Sequence, residues 1–245
     1  MKKIVAMAVV AAVTVSMVCA QITVGAKGTF GMNWGSTTTD EGRAVAVASM
    51  ENLAGTISFG KLVVGGGGSI YGRYNMPFHA PLGVQLELGI FANNGIALEV
   101  DGYINNNVGK INVTGNASST YLSMDIPLIV TYDISAGPVV ITPMVGVNFS
   151  IPLGKLKYKM EYTAKIEGYG EEKKEFTEEF DIDPRFIPGI VAGVEVGLPL
   201  GPGSLVADLR YVNDFTNVTI ASEGESMELF TRRNFNISVG YALKF

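Results

Sequence analysis

The sequence predicts an all-β fold: an eight-stranded antiparallel up-and-down β-barrel that crosses a membrane with its strands and carries long extracellular loops. Three observations point there. Apolar and polar residues alternate with a period of two through eight separate stretches, which puts one class of side chain on each face of a strand. The face opposite the apolar one is rich in small residues and thin in charge, in a chain with 30 glycines and only 17% Asp, Glu, Lys and Arg. Such a face suits a narrow interior better than a surface in water. The chain also ends Ser238-Val239-Gly240-Tyr241-Ala242-Leu243-Lys244-Phe245, with Val239, Tyr241, Leu243 and Phe245 on one side. A last strand that shows an apolar side to lipid and pairs with the first needs that pattern. A ten-stranded barrel is the alternative.

Residues 1–20 read as a signal peptide and 21–245 as the barrel domain. Met1-Lys2-Lys3 is a cationic start, Ile4 to Val18 an apolar run, and Val18-Cys19-Ala20 a small-residue site for cleavage after Ala20. Cys19, the single cysteine, is read as incidental, because Val18 before it is bulkier than lipoprotein processing prefers. The mature chain then has no disulfide and no thiolate chemistry. Without Lys2 and Lys3 it holds 16 basic and 23 acidic residues, a net charge of −7, which argues against nucleic acid as a partner. After residue 20 no apolar run reaches the ~18–20 residues of a spanning helix.

Strand by strand, the first sets Val24, Ala26, Gly28, Phe30, Met32 and Trp34 against Thr23, Lys27, Thr29 and Asn33. The second, about Val64 to Tyr74, points Ile70 and Tyr74 outward and Ser69, Tyr71 and Arg73 inward. The third has Leu82, Val84, Leu86, Leu88 and Ile90 against Gln85 and Glu87. The fourth opposes Leu122, Met124, Ile126, Leu128, Val130 and Tyr132 to Ser123, Asp125 and Thr131. In the fifth, Val139, Ile141, Val145, Val147 and Phe149 face away from Thr142, Gly146, Asn148 and Ser150. The sixth turns Ile190, Ala192, Val194, Val196 and Leu198 away from Gly189, Gly193, Glu195 and Gly197. A short seventh has Leu205, Leu209 and Tyr211 against Ser204, Asp208 and Arg210, and the eighth adds Phe235 and Ile237 to the C-terminal pattern.

The connections are of two kinds. Asn75 to Pro81, Asp133 to Pro138 and Pro199 to Gly203 are short and rich in Pro or Gly, whereas 35–61, 93–120, 154–187 and 213–232 are longer and polar. Short periplasmic turns and long extracellular loops are the arrangement of outer-membrane barrels. Aromatic residues fall near strand ends, Trp34 and Tyr211 above and Tyr74, Phe78, Tyr132, Tyr241 and Phe245 below, where interfacial girdles belong.

Two motifs carry a family resemblance. Ser238, Gly240, Leu243 and Phe245 resemble the β-signal read by the barrel assembly machinery. Tyr121-Leu122-Ser123-Met124-Asp125-Ile126-Pro127-Leu128 looks like the tyrosine-to-Ile-Pro-Leu central strand of the PorT-type outer membrane protein beta-barrel domain family, with Asp125 where Glu is more usual. As a pattern, the mature chain is similar to small outer-membrane barrels of the OmpA, OmpX and OmpW type. The resemblance implies a bacterial outer-membrane location, with lipid and the assembly machinery as partners. No peptidoglycan-binding segment follows Phe245, so periplasmic anchoring of the OmpA kind is not implied.

Inside the barrel the alternation places Lys27, Arg73 and Arg210 with Glu87, Asp125, Glu195 and Asp208. Eight strands enclose only enough room for side chains to fill, and buried charges must be paired. These residues therefore read as an ion-pair plug, with Arg210 expected on Asp208 or Glu195. His79, the single histidine, lies in a periplasmic turn with no recognisable Ser-His or carboxylate partner, so no catalytic centre is expected, and no metal site or cofactor. Gly65-Gly66-Gly67-Gly68 lacks the Lys-Ser/Thr of a phosphate loop and reads as a close backbone approach.

Lys155 to Arg185 reads as a β-hairpin above the membrane. Its basic arm (Lys155, Lys157, Lys159, Lys165) faces an acidic return through Glu171, Glu172, Glu175, Glu178, Glu179, Asp181 and Asp183. Such an edge can recruit a partner by strand addition; divalent-cation binding by Asp181 and Asp183 ranks below that. Segment 93–113 is expected to prolong strands three and four, with Ile96, Leu98 and Val100 keeping the outward phase of Ile90. The function expected is that of a non-enzymatic barrel whose loops meet an extracellular ligand or host molecule, or support the envelope. The alternative is a narrow channel for small or apolar solutes.

Overall fold

The computed structural model describes residues 21–36, 53–76, 81–106, 109–166, 170–183, 185–222 and 225–245. The signal-peptide expectation and the expectations for Phe78 and His79 lie outside the described residues, as does the side chain of Val100.

Alternation with a period of two is obeyed over long spans, and the regular elements of the described residues are strands. They are β1 (Gln21–Ser36), β2 (Leu53–Lys61), β3 (Val63–Asn75), β4 (Leu82–Asn106), β5 (Gly109–Tyr132), β6 (Ile134–Ala136), β7 (Val139–Ile166), β8 (Gly170–Asp183), β9 (Ile187–Leu200), β10 (Gly203–Asp214), β11 (Val218–Ser222) and β12 (Glu225–Lys244). Eight of them close an antiparallel ring in the order β1-β3-β4-β5-β7-β9-β10-β12. The seam runs from Thr23↔Lys244 to Ser36↔Thr231. At its end the Phe245 N–H donates to the Ile22 carbonyl at 2.8 Å and the Ile22 N–H to the Phe245 carbonyl at 3.2 Å. A closed ring leaves no strand edge unpaired.

The ring is inside out relative to a barrel that dissolves in water. Phe30, Ile70, Leu86, Ile90, Leu128, Val145, Leu209 and Val239 stand exposed on its outer wall, while Lys27, Arg73, Glu87, Asp125, Glu195, Asp208 and Arg210 are buried within. Trp34, Tyr211 and Phe235 form one outward aromatic cluster near the upper rim, with ring centroids 5.0–6.1 Å apart.

Above the rim the structure corrects the expected loops. Part of 35–61 is β2, paired with β4 from Leu53↔Ile104. As expected for 93–113, residues 93–106 and 109–120 continue β4 and β5 into a long hairpin, whereas 213–232 contains β11 and the start of β12. Backbone groups beyond the ring still need partners, and alternation persists there, so the sheet continues. The seventh ring strand is likewise not short, since β10 runs from Gly203 to Asp214. The hairpin from Lys155 forms as β7 and β8, paired from Lys155↔Asp181 to Ile166↔Gly170.

The phase of β4 is also corrected. Asn93 takes φ 58°, and β4 spends three steps from Phe91 to Asn94 where β5 spends two, from Ser123 to Tyr121. This bulge exchanges the two faces of the strand. Ile96, expected outward in the phase of Ile90, is 8% exposed and points in, and Leu98 is half-buried. Ile96 joins Tyr121, Leu156, Ile182, Ile187, Val218, Ile220 and Phe230 in an apolar cap over the lumen.

Substitutions at the bulge test this. Asn93→Gly should leave stability nearly unchanged, since glycine adopts positive φ freely, whereas Asn93→Val should cost about 1–2 kcal/mol. Ile96→Ala should cost about 2–5 kcal/mol. Urea-unfolding midpoints in detergent check all three, and an Ile96→Ala midpoint equal to wild type would return that side chain to the outer wall.

Candidate functional site

Among the described residues the lumen holds a dense cluster of buried charges, and the period-two alternation of β1, β3, β4, β9 and β10 aims it inward. Lys27 donates to Glu195 Oε2 at 2.6 Å and Asp208 Oδ2 at 2.7 Å. Arg73 spans Glu195 Oε1 at 2.6 Å and Gln85 Oε1 at 2.8 Å. Arg210 spans Glu87 Oε2 at 2.8 Å and Asp208 Oδ2 at 3.0 Å. Ser69 and Gln85 complete Glu87, donating at 2.7 and 3.0 Å. Lys27 Nζ also lies 4.4 Å from the centre of the Tyr71 ring, a cation–π contact. Each of the three cations is shared between acceptors, which is what desolvated charges require.

Six of the seven lumen residues expected from the sequence meet in this lower cluster. Arg210 reaches Asp208 but not Glu195, which Lys27 and Arg73 occupy; its second carboxylate is Glu87. Asp125 belongs elsewhere, and the residues it meets were not anticipated. Arg232 of β12, fully buried, grips Asp214 with Nε at 2.8 Å and Nη2 at 3.1 Å, and its Nη1 lies 3.3 Å from Asp125 Oδ2. Ser123 bridges to Asp125 at 2.9 Å and receives Asn94 at 2.7 Å. The signal for Arg232 was present in the chain. Counting back in twos from Ser238 through Asn236 and Asn234 places Arg232 inward and its neighbour Arg233 outward, where Arg233 donates to Asn213 at 3.1 Å.

Apolar side chains separate and cover these charges. Ile129, Met144, Val191 and Val212 form a buried inner layer, flanked along β5 and β10 by Asp125 and Asp214 above and by Arg210 below, and the cap around Phe230 lies higher still. At the short-turn end a cavity of about 30 Å³, lined by Thr23, Arg73, Asp133, Thr142 and Glu195, has room for no more than a few waters.

The C-terminal motif has a packing role in this geometry. Ser238 points inward and accepts a hydrogen bond from Thr29 at 3.0 Å. Gly240 stands opposite Lys27, and a Cβ there would sit 2.1 Å from the Ala26 carbonyl and 2.8 Å from Lys27 Cγ. Glycine at this point lets the seam close around the lysine stem. Leu243 and Phe245 face out, Phe245 at 74% exposure. The glycine run 65–68 lies in β3, and Gly67 faces the Phe91 ring at a distance that leaves no room for a side chain.

On the upper hairpin, Lys159 bridges Glu161 at 2.6 Å and Glu175 at 3.0 Å. The hydrogen bond from Lys159, then its charge, holds the Glu161 carboxyl below the usual carboxylate range, and the same partners raise Lys159. A depressed carboxylate stabilises the fold above its unfolded pKa, and that contribution disappears as pH falls through the folded value. Lys159→Gln should therefore move the Glu161 midpoint up toward that of a free glutamate. Carbon-detected NMR titration measures this, and an unmoved midpoint would dissolve the pairing.

For the lumen, Arg232→Met leaves two buried carboxylates without their cation and should cost about 3–5 kcal/mol. The triple change Arg232→Met/Asp214→Asn/Asp125→Asn should recover most of that loss. Equal urea midpoints for wild type and the single variant would show that the cluster is not desolvated.

No protein-family model and no curated protein sequence matches the chain. Similar solved structures include a major outer membrane protein from Thermus thermophilus (TM-score 0.40, 18% identity, covering 90% of this chain and 99% of that one). OprG of Pseudomonas aeruginosa gives TM-score 0.43 at 11% identity, covering 92% and 95%. Neisserial surface protein A gives 0.33 at 13%, covering 91% and 97%.

Proposed function

We propose that this chain is an integral β-barrel protein of the bacterial outer membrane. In this view it has no enzymatic activity, and its occluded barrel holds a rigid extracellular sheet for contact with a ligand or host surface, or for envelope integrity. The observation that carries the proposal is the inversion of the ring: exposed apolar side chains outside, a paired charge cluster inside. Lipid is the solvent in which that inversion is stable, because a closed ring satisfies its own backbone and offers the membrane only apolar side chains. A lysine, two arginines and three carboxylates pairing across the lumen leave it little free bore. The catalytic reading has no support from the lumen carboxylates, which are consumed in pairing.

Ser238, Gly240, Leu243 and Phe245 fit recognition by the assembly machinery, and residues 1–20 fit export with cleavage after Ala20. The chemistry available to partners lies above the rim. There β7 and β8 present rows of Lys and Glu, and outward Asn112, Thr114 and Asn116 of β5 stand exposed beside them.

The test is single-channel recording in planar bilayers, on protein whose folded state is verified by a heat-dependent gel shift. No steady conductance is expected. A stable open level would overturn the occluded lumen and make the Lys27–Arg73–Arg210 cluster the first place to seek selectivity.

A further inference from the structure

β7 changes partners as it leaves the ring. It pairs with β9 as far as Ser150↔Ile187 and with β8 from Lys155↔Asp181 onward, so residues 151–154 cross a fork between two partners. Gly154 turns there with φ 77°. The fork opens a crevice of about 270 Å³ lined by Pro152, Gly154, Lys155, Asp181, Ile182 and Arg185. Lys155 and Arg185 are both exposed, and among the described residues neither has a salt-bridge partner. Asp181, opposite Lys155 in register, is the single carboxylate of the lining.

The position of the crevice relative to the apolar wall gives it meaning. Directly below, Phe186 stands 51% exposed and stacks on Phe149 with ring centroids 5.5 Å apart. Leu122, the last exposed apolar residue of β5 on this side, pairs with Leu153. Two residues beyond Leu153, at Lys155, and one before Phe186, at Arg185, the chain turns cationic. Two cations at the upper border of an apolar, aromatic wall match an amphiphile with an anionic head and acyl chains below it.

We propose that this fork binds the phosphate of an outer-leaflet lipid headgroup. Lys155 and Arg185 embrace the phosphate, and the Phe149–Phe186 stack lies along an acyl chain. The site rests on the membrane placement proposed above. Lys155 supplies a compact charge and Arg185 a planar fork of donors suited to phosphate oxygens. Lys157 and Lys165, also outward on β7, do not line this crevice.

Native mass spectrometry on protein extracted in mild detergent from outer membranes of expressing cells tests the site. The probes are a bis-phosphorylated lipid A, phosphatidylcholine, and inorganic phosphate as competitor. Wild type should retain lipid A over phosphatidylcholine by at least about tenfold, equivalent to about 1.4 kcal/mol. Lys157→Gln/Lys165→Gln removes the same charge and should keep that preference; Lys155→Gln/Arg185→Gln should lose it while retaining its heat-dependent gel shift. Equal retention by both double variants would overturn the site as a specific one. Displacement of lipid A by millimolar inorganic phosphate would make it a free-phosphate site and overturn the lipid assignment. Protein found outside the outer-membrane fraction would remove the membrane placement and the site together, whereas correctly located protein without the preference would remove the site alone.

Discussion

Everything in this molecule follows from pairing β1 with β12. In lipid no water replaces a missing hydrogen bond, so the sheet must close on itself, and closure at eight strands leaves an interior only as wide as the side chains that fill it. Lys27 and Gly240 face each other at this seam. The lysine supplies the cation that Glu195 and Asp208 share, and the glycine supplies the space for its stem. Gly25 does the same for Tyr71, whose ring would lie 2.4 Å from a Cβ at position 25. The abundance of glycine and the scarcity of charge thus share a cause: a narrow lumen admits few charges, and small neighbours must make room for each.

In the proposed membrane placement, the second organising feature is the border where lipid gives way to water. Below it apolar side chains belong outside; above it they belong inside. A strand that crosses the border without interruption would carry its apolar face into water. β4 solves this with the Asn93 bulge, which turns Ile96 toward the cap while Ile90 remains on the outer wall. β7 keeps its phase: its odd positions are apolar through Leu153 and become Lys155, Lys157, Lys159 and Glu161 beyond it, while the even positions Pro152 and Leu156 are buried on either side of the fork. Both strands mark the border with a backbone irregularity, and sheets use such irregularities to re-aim side chains.

These two features explain what was legible in the chain. Within the ring, period two is enforced by lipid on one side and by a packed lumen on the other, so Lys27, Arg73, Glu87, Glu195, Asp208 and Arg210 could all be assigned inward from alternation alone. Their partners could not, because which of two facing carboxylates an arginine reaches depends on stagger between strands far apart in sequence; Arg210 finds Glu87 across 123 residues. A one-residue bulge leaves no trace in composition, so Ile96 was placed in the phase of Ile90. Arg232 escaped because the polar stretch before it resembles a loop, although the count from Ser238 already pointed it inward. Leu53, Ile57 and Phe59 likewise alternate in β2, but their polar and glycine neighbours blend with the loop-like segment before them.

The same physics directs attention upward for function. Charges that pair across the lumen have given up their hydration, and freeing any of them for a solute would leave a buried partner exposed to the full desolvation penalty. The upper strands carry no such obligation. β5, β7 and β8 are paired through most of their length above the rim, so their outward side chains are held in rows, and a partner meeting them loses little entropy in ordering the surface. Where the pairing is interrupted, at the fork of β7, Lys155 and Arg185 stand exposed beside the apolar wall. Such rows suit the proposed contact with another surface, and the gap between them suits the proposed lipid head group. Both arise because a sheet closed by lipid below must be re-paired in water above.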